Sequence, residues 1–274
     1  MLSLLTLIAL GAEPQVTVFR AMTFNIWRGG TQFQPIEQTI EVIKKSNADI
    51  VGIQEPDDSL ETIAKGLGWN RSDKASIVTR FEIIEDWSVE GSRWGGAIIR
   101  LPNGRDIIFL NTHLNPFPYG PYEVRDKKAT TNEQLLKVEE GSGRVRQMKA
   151  MLESLASKGK ERPIVFTGDF NTPSHLDWVT STNGRNFGVE FALRDAFRTI
   201  HPDPAKTPGF TWSPGYPVGK LDEDDVMDRI DFVLYRGLTA VGAWVVGESG
   251  PHTHIAVDPW PSDHRAVAAE FRLD

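Results

Sequence analysis

The sequence predicts an α/β protein in which two β-sheets pack face to face with helices outside. Short strand-like runs carry apolar residues on both faces, as strands buried on both sides do. Between them lie a few stretches with helical spacing, the mixture expected of layered sheets and helices. No internal repeat, low-complexity tract or Ser/Gly linker interrupts residues 13–274, so they read as a single domain. With 274 residues and a 40% apolar fraction, the chain can build a core large enough to be stable without cross-links.

The elements follow in order. Residues 1–12, MLSLLTLIALGA, are too short an apolar run to span a bilayer but suit the h-region of a secretory signal, with small residues at Ala9, Gly11 and Ala12 for cleavage. The chain is therefore expected to be secreted or periplasmic, although no Lys or Arg stands in the n-region. It contains no cysteine, which excludes disulfides and attachment of a lipid through cysteine. Val16 to Trp27 is predicted as a strand, with Val18, Met22, Phe24 and Ile26 on one face and Phe19, Ala21 and Trp27 on the other. Pro35 to Lys45 has Ile36, Ile40 and Ile43 at helical spacing, with proline at the first turn. Asp49 to Ile53 is a short strand running into Gln54-Glu55, and further strands are expected at Ile83 to Val89, Ala97 to Leu101 and Ile107 to Thr112.

Asn115 to Thr131 is rich in Pro, Tyr and Gly and reads as an irregular loop, a length that usually signals function or mobility. Leu135 to Leu155 is predicted as a helix, with Gly141 and Gly143 weakening its first part. Ile164 to Thr167, Ile230 to Tyr235, Val241 to Val246 and Ala266 to Phe271 complete the strands.

Five segments share one feature: an apolar strand runs into residues that bind metals or move protons. They are Thr23-Phe24-Asn25, Gly52-Ile53-Gln54-Glu55, Asn111-Thr112-His113-Leu114, Gly168-Asp169-Phe170-Asn171 and Trp260-Pro261-Ser262-Asp263-His264. Polar groups at the ends of rigid strands are good material for a preorganised site. Singly, each has a plainer explanation: Asn25 and Asn171 as turn caps, Glu55 as a solvated loop residue. Asp231, inside Ile-Asp-Phe-Val-Leu, is different, because a buried carboxylate needs a partner and His264 is the obvious one.

Taken together and in this order, from Asn25 to His264 and with Arg229-Ile230-Asp231 included, the segments resemble the deoxyribonuclease-I-like endonuclease/exonuclease/phosphatase superfamily. The resemblance covers nearly the whole mature chain. It implies a four-layer α/β sandwich, with the active site at one edge of the two facing sheets, and hydrolysis of phosphate esters. It also implies Mg²⁺ or Mn²⁺, with Glu55 and Asn25 as oxygen ligands. Asp169 would prepare the attacking water and Asn171 would hold it in line. His264, oriented by Asp231, would stabilise charge in the transition state, and His113 would contact the phosphate or the leaving oxygen. Asp263 would bind a metal or protonate the leaving group.

The substrate is less closely determined. Asn115 and Tyr119, in the aromatic loop Asn115-Pro116-Phe117-Pro118-Tyr119, and Trp212 are candidate substrate contacts, and His175 and Trp178 lie near the site in sequence. Arg125, Lys127, Lys128, Arg144, Arg146 and Lys149 form a basic concentration that would meet an anionic substrate if the loop folds over the site. Asp222, Glu223, Asp224, Asp225, Asp228 and Asp231 form an acidic run that would repel a long polyphosphate or hold a structural Ca²⁺. His252-Thr253-His254 has too few further ligands nearby to be more than a loop. The net charge of −7 disfavours nucleic acid as a general partner without excluding phosphate chemistry, because a bound cation inverts the local field. The reading is thus a monomeric phosphodiesterase without a membrane span, acting on a small or lipid-like substrate. An extracellular nuclease and a non-catalytic binding module on the same fold are the alternatives.

Overall fold

The computed structural model describes residues 16–159, 161–173, 193–213 and 227–273. The expected leader, His175, Trp178 and residues 222–225 of the acidic run lie outside them.

The strands are β1 (Thr17–Asn25), β2 (Ile50–Gln54), β3 (Asn70–Ser72), β4 (Ile77–Thr79), β5 (Glu82–Ser88), β6 (Gly95–Arg100), β7 (Asp106–His113), β8 (Ile164–Asp169), β9 (Arg194–Asp195), β10 (Asp231–Arg236), β11 (Thr239–Gly247), β12 (Ile255–Ala256) and β13 (Ala266–Leu273). The α-helices are α1 (Ile36–Lys45), α2 (Leu60–Leu67), α3 (Gly120–Arg125), α4 (Asn132–Ser142), α5 (Arg144–Ala156) and α6 (Ala196–Ile200). Among the described residues, one mixed sheet has seven strands in the order β12-β11-β13-β1-β2-β4-β3, and the other has six in the order β5-β6-β7-β8-β10-β9.

Side-chain alternation divides the apolar residues into three layers. In β7, Ile107 and Phe109 point between the sheets, where they meet Phe19, Ile50, Val165, Val233 and Phe271. Their neighbours Ile108 and Leu110 point the other way and pack under Met148, Met151, Leu152 and Leu155 of α5. On the far side, Met22 and Phe24 of β1 and Val51 and Ile53 of β2 pack under Ile40 and Ile43 of α1 and Ile63 of α2. The result is the four-layer sandwich, helix, sheet, sheet, helix, that the sequence implied.

Four local expectations need correction. Val18 is 53% exposed, because the first residues of β1 extend past the helices that cover its later ones. Trp27 lies beyond the strand, at φ 54°. The helix expected from Leu135 to Leu155 is two helices, broken where Gly143 adopts φ 78° and ends α4. The aromatic loop is not wholly irregular, since it contains the short helix α3.

Candidate active site

Strand register brings the site together. β7 and β8 are parallel with His113 opposite Asp169. β8 and β10 are antiparallel with Asp169 opposite Asp231. Three polar residues thus stand in a row across three adjacent strand ends, each a strand spacing of about 4.8 Å from the next. The facing sheet contributes Asn25 at the end of β1, paired with Gln54 of β2, and Glu55 just past it. His264 enters from the turn before β13.

Below the row, a polar layer ties the two sheets together. The Asn111 side-chain N–H donates to the carbonyls of Ile53, Ala75 and Ser76 at 3.0–3.1 Å. Its oxygen accepts from Gln54 at 2.6 Å and from the Thr167 hydroxyl at 3.3 Å. Gly52 is required there: a Cβ would lie 2.1 Å from Thr167 Oγ1. Asn111 and Gln54, part of the strand-end motifs, therefore hold the floor of the site and do not line its cavity.

Asp231 Oδ2 faces His264 Nδ1 at 3.0 Å, and His264 Nε2 lies 3.7 Å from Asp169 Oδ2. Burial opposes the imidazolium, but the carboxylates of Asp231 and Asp169, the Asp231 hydrogen bond and Asp263 outweigh it and push His264 up to about 10. His264 is therefore cationic at neutral pH. Asp169 is fully enclosed: burial and the nearby Asp231 raise it, against the pull of His264, His113 and Asn25. Its Oδ1 accepts the main-chain N–H of Asn171 at 2.9 Å, and its Oδ2 accepts the Asn25 amide at 2.9 Å. His113 Nε2 lies 3.5 Å from Asp169 Oδ2, yet burial outweighs Asp169 and Glu55 and lowers its pKa, so this ring is neutral where His264 is charged. Burial and the neighbouring carboxylates thus shift the two histidines on one carboxylate in opposite directions.

Burial also disfavours the Glu55 charge, but the Arg28 N–H at 3.0 Å, His113, the Asn25 amide and His264 hold the carboxyl below its ordinary range. Asp263 is raised by burial, and both Glu55 and Asp169 add to that rise. Asp169, Asp231 and His264 offer ligand atoms within 4.8 Å of one another. That cluster is better described as a proton network, since the Asp231 and His264 atoms already face each other at hydrogen-bond distance. Glu55 and Asp263 both line the cavity, Glu55 opposing the charge of Asp263, and they are the oxygen donors a hard cation suits. Asn25 stands beside them with one oxygen lone pair already engaged. Its oxygen accepts the Trp27 N–H at 3.0 Å, and its N–H groups bridge Glu55 and Asp169.

The row opens into a cavity of about 550 Å³ that His113, Asp169, Asn171, Asp263, His264, Tyr119 and Trp212 all line. On one wall Tyr119 packs edge to face against both Tyr122 and Trp212, which meet each other at a tilt, with ring centroids 5.1–6.1 Å apart. The Tyr119 hydroxyl donates to Asp228, and burial together with that carboxylate pushes its pKa far up, keeping it a donor. Asp228 and Asp231, the described members of the acidic run, are both engaged in the site. Asn115 is the substrate candidate that the structure does not place here: its amide group bonds Ser142 and Gln147 instead. Arg144 is likewise no substrate cation. It is 1% exposed and bonds Glu139 and the loop carbonyls of Asn115 and Pro118. His254 is a loop residue, as expected, its Nδ1 accepting the Val245 N–H at 3.2 Å.

The cavity also holds residues that no motif flagged: Trp27, Arg28, Asp57 and Arg93. All sit on turns, where periodicity carries no signal. Trp27 and Arg28 at least follow Asn25 directly, but Arg93 lies on the β5–β6 turn, far in sequence from every motif.

Residues 22–264 match the Endonuclease/Exonuclease/phosphatase family. A Caenorhabditis elegans protein described as uncharacterized is 30% identical over 291 residues, covering 92% of this chain and 90% of that one. Among solved structures, an endonuclease/exonuclease/phosphatase family protein from Bacteroides thetaiotaomicron aligns with a TM-score of 0.63 at 16% identity, over 95% of this chain and 99% of that one. Truncated Caenorhabditis elegans TDP2 aligns with a TM-score of 0.61 at 19% identity, over 93% and 97%. D. rerio TDP2 complexed with single strand DNA product gives 0.63 at 12% identity, over 93% and 99%. At such identities the structural likeness is one of fold.

Proposed function

Because the chain belongs to the endonuclease/exonuclease/phosphatase family, a family of phosphoester hydrolases, we propose that it is a Mg²⁺- or Mn²⁺-dependent phosphodiesterase acting on a small or lipid-like substrate. The observation that carries this reading is geometric: strand register sets the enclosed Asp169 between His113 and Asp231, and His264, held by Asp231 at 3.0 Å, reaches within 3.7 Å of it.

In this reading Glu55 and Asp263 would hold the cation, a fit supported by their all-oxygen chemistry and by the unfavourable effect of Glu55 on the Asp263 charge. When bound, it supplies Lewis-acid polarisation of the phosphoryl oxygen and neutralises charge. Asp169 accepts the proton of the attacking water, and the Asn171 N–H and Asn25 amide fix its two oxygens for that task. His264 places positive charge against the developing phosphoryl charge. His113, neutral and buried, donates a hydrogen bond to the phosphate or the leaving oxygen.

The aromatic wall and the net charge of −7 favour a compact substrate over a long polyanion. The nuclease reading has one observation in its favour, the single-strand DNA product held by the D. rerio protein of similar fold. No helix among the described residues is long and apolar enough to cross a membrane. Export through the apolar run at residues 1–12 belongs to the same proposal.

The test is hydrolysis by EDTA-treated protein, with Mg²⁺ or Mn²⁺ added back, of bis(4-nitrophenyl) phosphate, 4-nitrophenyl phosphate, sphingomyelin and plasmid DNA. We expect no activity without metal, restoration on addition, diester turnover above monoester turnover, and Glu55→Ala partly rescued by excess metal. Full activity of metal-free protein would sink the mechanism. Rapid plasmid degradation, steeply inhibited by salt, would replace the substrate reading with the nuclease one.

A further inference from the structure

The active-site cavity does not end at Glu55 and His113. A second lobe of about 310 Å³ lies beside it, lined by Pro56 and Trp94, and both lobes share Glu55, Asp57, His113 and Arg93. Arg93 therefore stands where the lobes meet. Arg93 is exposed, and among the described residues its guanidinium makes no ion pair or hydrogen bond, although Glu55 and Asp57 line the same space.

The backbone that presents Arg93 is held firmly and under strain. Trp94, a bulky residue, adopts φ 76°, a region such side chains rarely enter. The turn closes through Val89 N–H to Trp94 O at 3.0 Å and Ser92 N–H to Val89 O at 3.2 Å. Gly95 permits the tight approach, since a Cβ there would lie 2.0 Å from Trp87 O. The Thr112 hydroxyl donates to the Arg93 carbonyl at 3.3 Å, tying this turn to the residue before His113. Strain that persists at a cavity wall is maintained by its surroundings and points to function. Arg93 also bears electrostatically on His113, adding to the effect of burial in lowering its pKa.

We propose that Arg93 is a phosphate-binding residue of this site, its planar guanidinium holding the non-bridging oxygens of a phosphoryl group seated between the two lobes. The proposal deepens the phosphodiesterase reading, and on that reading the two ester substituents of the substrate divide between the lobes. A guanidinium suits this task better than an ammonium, because its fork can hold two phosphate oxygens at once. The plainer role, balancing the charge of Glu55, needs only a positive charge and would be met by lysine.

The experiment is titration of the protein with inorganic phosphate, read by tryptophan fluorescence, for wild type, Arg93→Ala and Arg93→Lys. Alanine should weaken phosphate binding by about 10- to 100-fold, the range for losing a hydrogen bond to a charged group. Lysine should recover only part of that loss, and the melting temperature should not move. In turnover of bis(4-nitrophenyl) phosphate, added guanidinium ion should restore part of the activity of the alanine variant. Phosphate binding within twofold of wild type in Arg93→Ala, or full recovery by lysine, would overturn the proposal. If wild type binds phosphate through Arg93 but hydrolyses no diester, Arg93 stands and the phosphodiesterase reading falls. Diester hydrolysis indifferent to Arg93 gives the converse.

Discussion

At the ends of β7, β8 and β10, His113, Asp169 and Asp231 stand opposite one another through main-chain register. Another wall of the cavity, from Pro116 to Tyr122, is positioned instead by side chains. Arg144 grips its carbonyls and Tyr119 bonds Asp228. The first region derives its accuracy from backbone hydrogen bonds common to the whole sheet. The second depends on a few polar contacts reaching across from helices and neighbouring loops. Chemistry is thus fixed by the fold, whereas substrate shape is set by contacts that substitution can change while the sheets remain intact.

The sharpest way to break this comparison is Asp169→Asn. If the strand ends carry the chemistry, kcat should fall by about 10²- to 10⁴-fold, the usual worth of a positioned proton acceptor. Metal affinity should stay near wild type; the amide still accepts the Asn171 N–H, but its NH2 meets the Asn25 amide donor, so a modest fall in melting temperature is expected. A variant retaining a tenth of wild-type kcat would remove Asp169 from the reaction.

Asp231→Asn should cost less and act through His264. Because the folded protein raises His264 from 6.5 to about 10, the pair stabilises the fold fully below about pH 6.5. That contribution is lost as pH climbs toward 10. Urea unfolding of metal-free wild type should therefore show stability falling between pH 7 and 10, with a flatter profile for Asp231→Asn. The rate losses of Asp231→Asn and His264→Ala should be strongly non-additive, as for residues acting as a unit. Additive losses, within about 0.5 kcal/mol, would mean that the two act separately.

The same division explains what the sequence revealed. Strand ends were legible because apolar runs on both faces locate β1, β7, β8 and β10, and the polar residue bounding each run is conspicuous. The Asp231–His264 pair could be expected from the cost of burying a carboxylate alone. The two-to-three-residue strands β3, β4, β9 and β12 are too short for any period to register. Helix α2 did leave a signal, with Leu60, Ile63, Ala64 and Leu67 at helical spacing. Asn115 and Arg144 were misplaced for a physical reason: a polar side chain beside the site in sequence can serve the loop, and sequence spacing does not reveal which way it turns. Arg93 left no signal, since it joins the site only because the β5–β6 turn folds against β7.

The smallest expected effect on turnover belongs to Arg144→Met, and it probes the wall alone. The guanidinium bonds buried Glu139 and donates to the carbonyls of Asn115 and Pro118. Its removal leaves a buried carboxylate without its partner and two carbonyls without donors, a loss of about 3–5 kcal/mol when one member of a buried pair is deleted. The loss should be local, because the sheets make their contacts without this arginine. We therefore expect KM for a diester substrate to rise by roughly tenfold, about 1.4 kcal/mol of binding, with kcat nearly unchanged and faster proteolysis between residues 115 and 131. A second variant separates the ion pair from the loop carbonyls. Arg144→Met combined with Glu139→Leu removes the stranded charge, so stability should recover in part. KM should stay high, since the carbonyls of Asn115 and Pro118 still lack their donor. If KM recovers along with stability, the arginine merely neutralises Glu139 and the wall holds its shape by other means. If Arg144→Met instead lowers kcat as much as Asp169→Asn does, the wall and the strand ends form a single unit.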